Sequence, residues 1–182
     1  WLSVGSPLGL IENLAAPSPD GDLLHFSWHP GGDWALTNVS STTQRKIQGP
    51  VAQWAVPIEG GVFIDHLAAR ATNDDLLVFH RGETGPWNVV NVTAITGRKI
   101  AGEPEGWAVS AGAEIEEKVA VAGTGGELLL FTYRPSTNWV VQDLTAVTGR
   151  TVSGPVTSWL DPVAKSDKFA GRAPNGDALV FA

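Results

Sequence analysis

The sequence predicts an all-β chain assembled from a repeated unit, and three observations carry that expectation. Residues of several types recur in one register of about 52 residues, the kind of period that marks repeat architectures. Trp1, Trp54, Trp107 and Trp159 form one ladder, Trp34, Trp87 and Trp139 a second, and Phe26, Phe79, Phe131 and Phe181 a third. Turn-forming dipeptides return at one point of each unit: Asp20-Gly21, Asn73-Asp74, Gly125-Gly126 and Asn175-Gly176. No segment sustains apolar residues at i, i+3 and i+4 for three turns, so no amphipathic helix is expected.

Each unit reads as four pieces. The first is a short segment such as 65–71, closed by the turn dipeptide; the positive φ favoured by Gly, Asn and Asp suits a two-residue hairpin. The second is a strand such as 75–79 or 127–131, whose unbroken apolar run suits burial on both faces. The third starts at the second Trp, as in 139–145, and ends at Thr96-Gly97 or Thr148-Gly149. The fourth, such as 151–155, leads to the next Trp. Pieces one and two occur four times and the others three times. That makes about three and a half units and about fourteen strands.

Four short strands per unit of this length is the pattern of a β-propeller blade. Blades stack face to face, which accounts for strands apolar on both sides. A β-trefoil shares the four-stranded unit but closes with three, and this chain has a surplus. The expected organisation is one propeller or propeller-fragment domain over 1–182, with repeats at about 1–53, 54–106 and 107–158 and a partial one at 159–182. An unfinished unit leaves unpaired strand edges, which favour association. A homo-oligomer or a larger chain is therefore expected over an isolated monomer.

Composition narrows the function. The chain has 182 residues, 43% of them hydrophobic and 17% charged, enough to bury a core. Twelve basic and 19 acidic residues give a formal charge of -7. Such a chain is a poor partner for nucleic acid or an anionic membrane. It contains no Cys, which excludes disulfides and thiolate metal sites. The absence of Met and of any remaining signal segment points to processing or excision from a longer chain. A secreted or cell-surface setting is slightly favoured. No cofactor and no metal is expected, since the four His show no ligand spacing.

Two readings attach to the Trp ladders. Large aromatics at repeat positions pack neighbouring units together, or they offer stacking platforms for sugar rings, with avidity from repetition. Trp28 lies off the ladders. Its equivalents are Arg81 and Tyr133, flanked by His80 and Arg134, a column that varies while the frame repeats. Varying residues near loops of a rigid scaffold suit binding. The acidic ladder Glu12, Asp65, Glu117 and Asp167 can accept from sugar hydroxyls, or pair with Arg45, Arg98 and Arg150 to fix unit to unit. The candidate binding residues are thus Trp28, His80, Arg81, Tyr133, Arg134, Asp65 and His66. Asn38-Val39-Ser40 and Asn91-Val92-Thr93 match the glycosylation pattern, but their third copy is Asp143-Leu144-Thr145 and repeat ancestry explains them.

The phrases Asn-Gly-Asp-Ala-Leu-Val-Phe (175–181) and Asp-Leu-Thr-Ala-Val-Thr-Gly-Arg (143–150) resemble those of bacterial β-propeller repeat proteins. The chain broadly resembles the sugar-binding propellers of the tachylectin and tectonin sort over nearly its whole length. The resemblance implies a non-catalytic, carbohydrate-binding module with a glycan partner. A protein-interaction or self-assembly scaffold is the alternative, and a hydrolase using acidic residues in the funnel is a third.

Overall fold

The computed structural model describes residues 2–6, 9–57, 63–82, 85–111, 114–161 and 166–181. Within them the chain forms four antiparallel sheets, each a simple meander in which consecutive strands pair. The first sheet holds β1 (Leu2–Ser6), β2 (Gly9–Pro17), β3 (Leu23–Trp28) and β4 (Ala35–Asn38). The second holds β5 (Ile47–Pro57), β6 (Phe63–Ala71), β7 (Leu76–Arg81) and β8 (Asn88–Asn91). The third holds β9 (Glu105–Ala111), β10 (Glu114–Ala122), β11 (Leu128–Arg134) and β12 (Asn138–Asp143). The fourth has three described strands, β13 (Val156–Asp161), β14 (Ser166–Arg172) and β15 (Ala178–Phe181). These fifteen strands exceed the expected number by one, because the segment after Trp1 is itself a strand. Trp1 lies outside the described residues.

The leading strands of successive sheets neighbour one another, β5 lying against β9 and β9 against β13. The sheets then stack face against face. Alternation along β6 shows how one strand serves two interfaces. Leu67, Ala69 and Ala71 pack with Leu23 and Val39 of the first sheet. Ala68 packs with Val119 and Phe131 of the third. Leu76, Leu77, Val78 and Phe79 are all buried, as the apolar run requires of a doubly covered strand. Phe79 and Phe131, both fully buried, each contribute about 2 kcal/mol by leaving water.

Two local motifs depart from expectation. The turn between β6 and β7 is a three-residue loop with a bulge, not a two-residue hairpin. Asp74 N–H donates to the Ala71 carbonyl (3.0 Å), and Ala71 N–H donates to the Asp75 carbonyl (2.8 Å). Only the fourth turn residue takes positive φ: Gly21 (79°), Asp74 (68°), Gly126 (85°) and Gly176 (94°). A two-residue turn would need it at the first central position, and in type I′ at both.

The third piece is also shorter than expected. Each outer strand gives way to one helical turn: α1 (Val39–Thr43), α2 (Val92–Thr96) and α3 (Leu144–Thr148). Asn38, Asn91 and Asp143 cap these turns, their side chains accepting from the N–H of Ser41, Ala94 and Ala146. The hydroxyl two residues after each cap bridges inward. Thr93 Oγ1 accepts from Leu76 N–H (2.9 Å) and donates to the Arg98 carbonyl (2.7 Å); Ser40 and Thr145 do the same in their units. The Asn-Val-Ser/Thr phrase is thus a rivet joining cap, strand and exit. Asn91 Nδ2 donates to Asp75 Oδ2 (2.8 Å), so its amide is engaged.

Candidate functional site

Three acids of the ladder, Asp65, Glu117 and Asp167, lie at the sheet interfaces, and each meets a donor from the sheet before it. Asn13 Nδ2 donates to Asp65 Oδ1 (3.3 Å). His66 Nδ1 lies 2.6 Å from Glu117 Oε2. Lys118 Nζ pairs with Asp167 and also lies 3.3 Å from Glu116 Oε2. The acid and the donor that follows it in sequence point to opposite faces of one strand, so the second and third sheets receive on one side and donate on the other. The expected pairing of this ladder with Arg45, Arg98 and Arg150 does not form. Arg98 instead reaches Glu127 (3.7 Å) and Asp143 (3.6 Å), because it follows α2 on the outer edge.

The interface between the first and second sheets is the most polar. Asp65 Oδ2 accepts from Arg81 Nη2 at 3.2 Å, and the Arg81 guanidinium sits 5.0 Å from the centre of the Trp87 ring. His25 meets that indole edge-on, with ring centres 5.0 Å apart, and its Nε2 is 4.0 Å from Asp65 Oδ2. Burial, helped by the Arg81 charge, depresses the His25 pKa to about 4, so the imidazole is neutral at pH 7. Burial pushes the Asp65 carboxyl up, against the opposing pull of Arg81. Asn13 Oδ1, both ring nitrogens of His25, both amide atoms of Gln53 and Trp87 Nε1 are buried without a hydrogen-bond partner.

The second and third sheets meet differently. The His66 ring lies 5.6 Å from Trp54 and 5.7 Å from His80, stacked on the latter. The His80 pKa is lowered by burial and by His66. Tyr133 packs against Trp139, ring centres 5.5 Å apart. Trp54 lies over Gly106, where an added Cβ would come within 2.3 Å of the indole. Between the third and fourth sheets, Arg134 donates to Glu116 (Nε to Oε1, 2.6 Å), extending the Lys118–Asp167 pair into a network.

The candidate residues therefore divide among the interfaces. Asp65 and Arg81 converge between sheets one and two, whereas half-buried Trp28 pairs with Glu12 at the end of β3, on the other face of the first sheet from Asn13 and His25. His66, His80 and Tyr133 belong between sheets two and three, and Arg134 to the next interface. Sequence reasoning missed Asn13, His25 and Gln53. Asn13 and His25 are nearly or fully inaccessible and carry no motif; only their departure from the repeat marks them. His25 stands where Val78 and Leu130 stand in the next units, and Gln53 where Gly106 and Ser158 stand. The ladder Trp54, Trp87 and Trp139 is buried and packs sheet to sheet, while Trp159 is 43% exposed.

A separate cavity of about 480 Å³ opens near the other end of β6, lined by Gln48, Arg70, Glu103, Thr124 and Ser153 among others. Arg70 lies five residues beyond Asp65, about 17 Å along the strand. Its described lining contains no aromatic residue.

No protein-family model and no curated protein matches the sequence. Solved structures do match in fold. A fucose lectin from Kordia zhangzhouensis in complex with methyl-fucoside superposes with a TM-score of 0.65 at 14% identity, over 77% of this chain and 95% of that one. AofleA from Arthrobotrys oligospora superposes with a TM-score of 0.63 at 18% identity, over 99% of this chain and 52% of that one. A mutant of AofleA with three arginines replaced by alanine gives 0.66 at 18% identity, over 99% and 53%. The chain spans about half the length of AofleA. These likenesses establish an all-β fold shared with those proteins.

Proposed function

We propose that the chain is a non-catalytic, carbohydrate-binding module whose sheets are the blades of a lectin-type propeller. The observation that carries this reading is the Asp65–Arg81–Trp87 constellation between the first two sheets. A carboxylate beside a guanidinium presents an acceptor and a forked donor to the hydroxyls of a sugar, and the Trp87 indole backs the guanidinium. A fold neighbour is a fucose lectin solved with methyl-fucoside. The expected ligand is a glycan with a terminal fucose-like sugar carrying vicinal hydroxyls.

A glycan array on the intact chain tests this. Binding to at least one glycan, lost in Arg81→Ala while the fold remains intact by circular dichroism, is the expected result. Silence across the array from folded protein defeats it. A second reading, self-association, draws on exposed apolar side chains at Leu36 (60%), Val147 (69%) and Val180 (63%). It requires mass to rise with concentration in light scattering.

A further inference from the structure

We infer that the three sheet interfaces are unequal, and that only the one between the first and second sheets accepts a polyhydroxylated ligand. The other two are closed by the protein's own side chains. This inference rests on the sugar-binding reading and adds to it which interface is used and why.

The repeat gives each interface one acid and one facing donor, and the identity of the donor decides what is left for a ligand. Lys118 supplies a full charge to Asp167, and Glu116 is held by both Lys118 and Arg134. His66 closes on Glu117 at 2.6 Å, sandwiched near Trp54 and His80. From the facing sheet Asn13 offers Asp65 only a neutral amide at 3.3 Å, and its charged donor, Arg81, comes from its own sheet at 3.2 Å. Asp65 therefore keeps acceptor capacity beside the Arg81 guanidinium.

The surroundings of the acids differ in the same sense. His25 and Gln53 place polar atoms in the first interface. The equivalent residues in the second are Val78, buried in the apolar cluster, and Gly106, covered by the Trp54 ring. In the third they are Leu130, packed in the apolar cluster there, and Ser158, whose hydroxyl already donates to Glu105 (2.9 Å).

The unpaired buried groups follow this division. Asn13, His25, Gln53 and Trp87 all present them on facing surfaces of the first two sheets. In the next interface the described set is Trp54 Nε1, Arg70 Nε, His66 Nδ1 and Glu117 Oε2, and the last two face each other. A folded protein leaves few buried polar atoms unmet, because each costs stability. Keeping several at one interface, where sister units use Val, Leu and Gly, fits a site that trades stability for binding.

The test is a titration of the intact chain with methyl-fucoside, or with the methyl glycoside of the best array ligand, followed through the indole N–H signals of the tryptophans. The Trp87 signal is expected to move, with those of Trp107, Trp139 and Trp159 unchanged. The variant His25→Val installs the residue of the next repeat. It is expected to weaken binding at least tenfold while keeping or raising the thermal midpoint. A purely structural His25 would instead lower the midpoint and leave affinity near wild type. Titration of Trp139 or Trp159 with the same midpoint as Trp87, or wild-type affinity in His25→Val, overturns the inference and leaves sugar binding standing. No response of the wild type to any array ligand removes the sugar-binding reading and the inference together.

Discussion

His25 is held neutral by its burial, and this couples the first interface to acid. Its folded pKa of about 4 lies below the ordinary imidazole value of about 6.5. The unfolded chain therefore takes up a proton between those values and the folded chain does not. Stability contributed in the neutral range is lost as pH falls from about 6.5 to about 4, by up to about 3 kcal/mol. Asp65 acts in the opposite sense, because its raised pKa lets the folded state bind a proton first once pH drops toward its range. Urea unfolding at stepped pH is expected to show the decline, and His25→Val to flatten it; an unchanged slope in the variant refutes this account. Lys118→Met tests the third interface. It leaves Asp167 and Glu116 without their shared cation, and a loss of about 2 kcal/mol or more is expected by denaturant titration. Asp65, His66 and Arg81 were legible as candidates because they stand out by chemical type in a repeating column. His25 and Asn13 were not, since a lone polar residue in a strand gives no sign of which sheet it will face.

The rivet formed by each short helix carries the next level of organisation. Thr93 serves a buried N–H and a carbonyl at once, so Thr93→Val removes both contacts at nearly constant volume. A loss of about 1–3 kcal/mol is expected in chemical denaturation. Asn91→Ala removes the cap and the bond to Asp75, for about 1–2 kcal/mol. If either variant is as stable as wild type, the rivet is not structural. These turns were hidden in the sequence for a physical reason: five residues are too few to show a helical period, and the Asn-Val-Thr phrase resembles a strand end. The central strands were plain, because burial on both faces demands the continuous apolar run seen at Leu76–Phe79. Trp54 and Gly106 illustrate a third case. Gly106 carries no signal of its own in the sequence, yet it lies in β9 where a Cβ would strike the indole.

Across the whole molecule, contacts run mainly between adjacent sheets, so stability is expected to vary along the array. The second and third sheets are packed on both faces, whereas β15 alternates between exposed and half-buried residues. Hydrogen exchange is expected to be slowest in β6, β7, β10 and β11 and fastest in β4 and β15. Uniform protection across the four sheets would contradict this. The period, the strand-rich character and the interface role of the tryptophans were all readable from the ladders. The inequality of the interfaces was not, because it depends on which residues face one another across a gap. The consecutive acid and donor have a consequence for how such sheets can be combined. Because the pair points to opposite faces, the second and third sheets each have an accepting side and a donating side, and stacking acquires a direction. A sheet turned over would set acid against acid. Units of this kind can be reordered or exchanged in an engineered chain provided that each keeps its heading, and the rule is written in two adjacent residues per repeat.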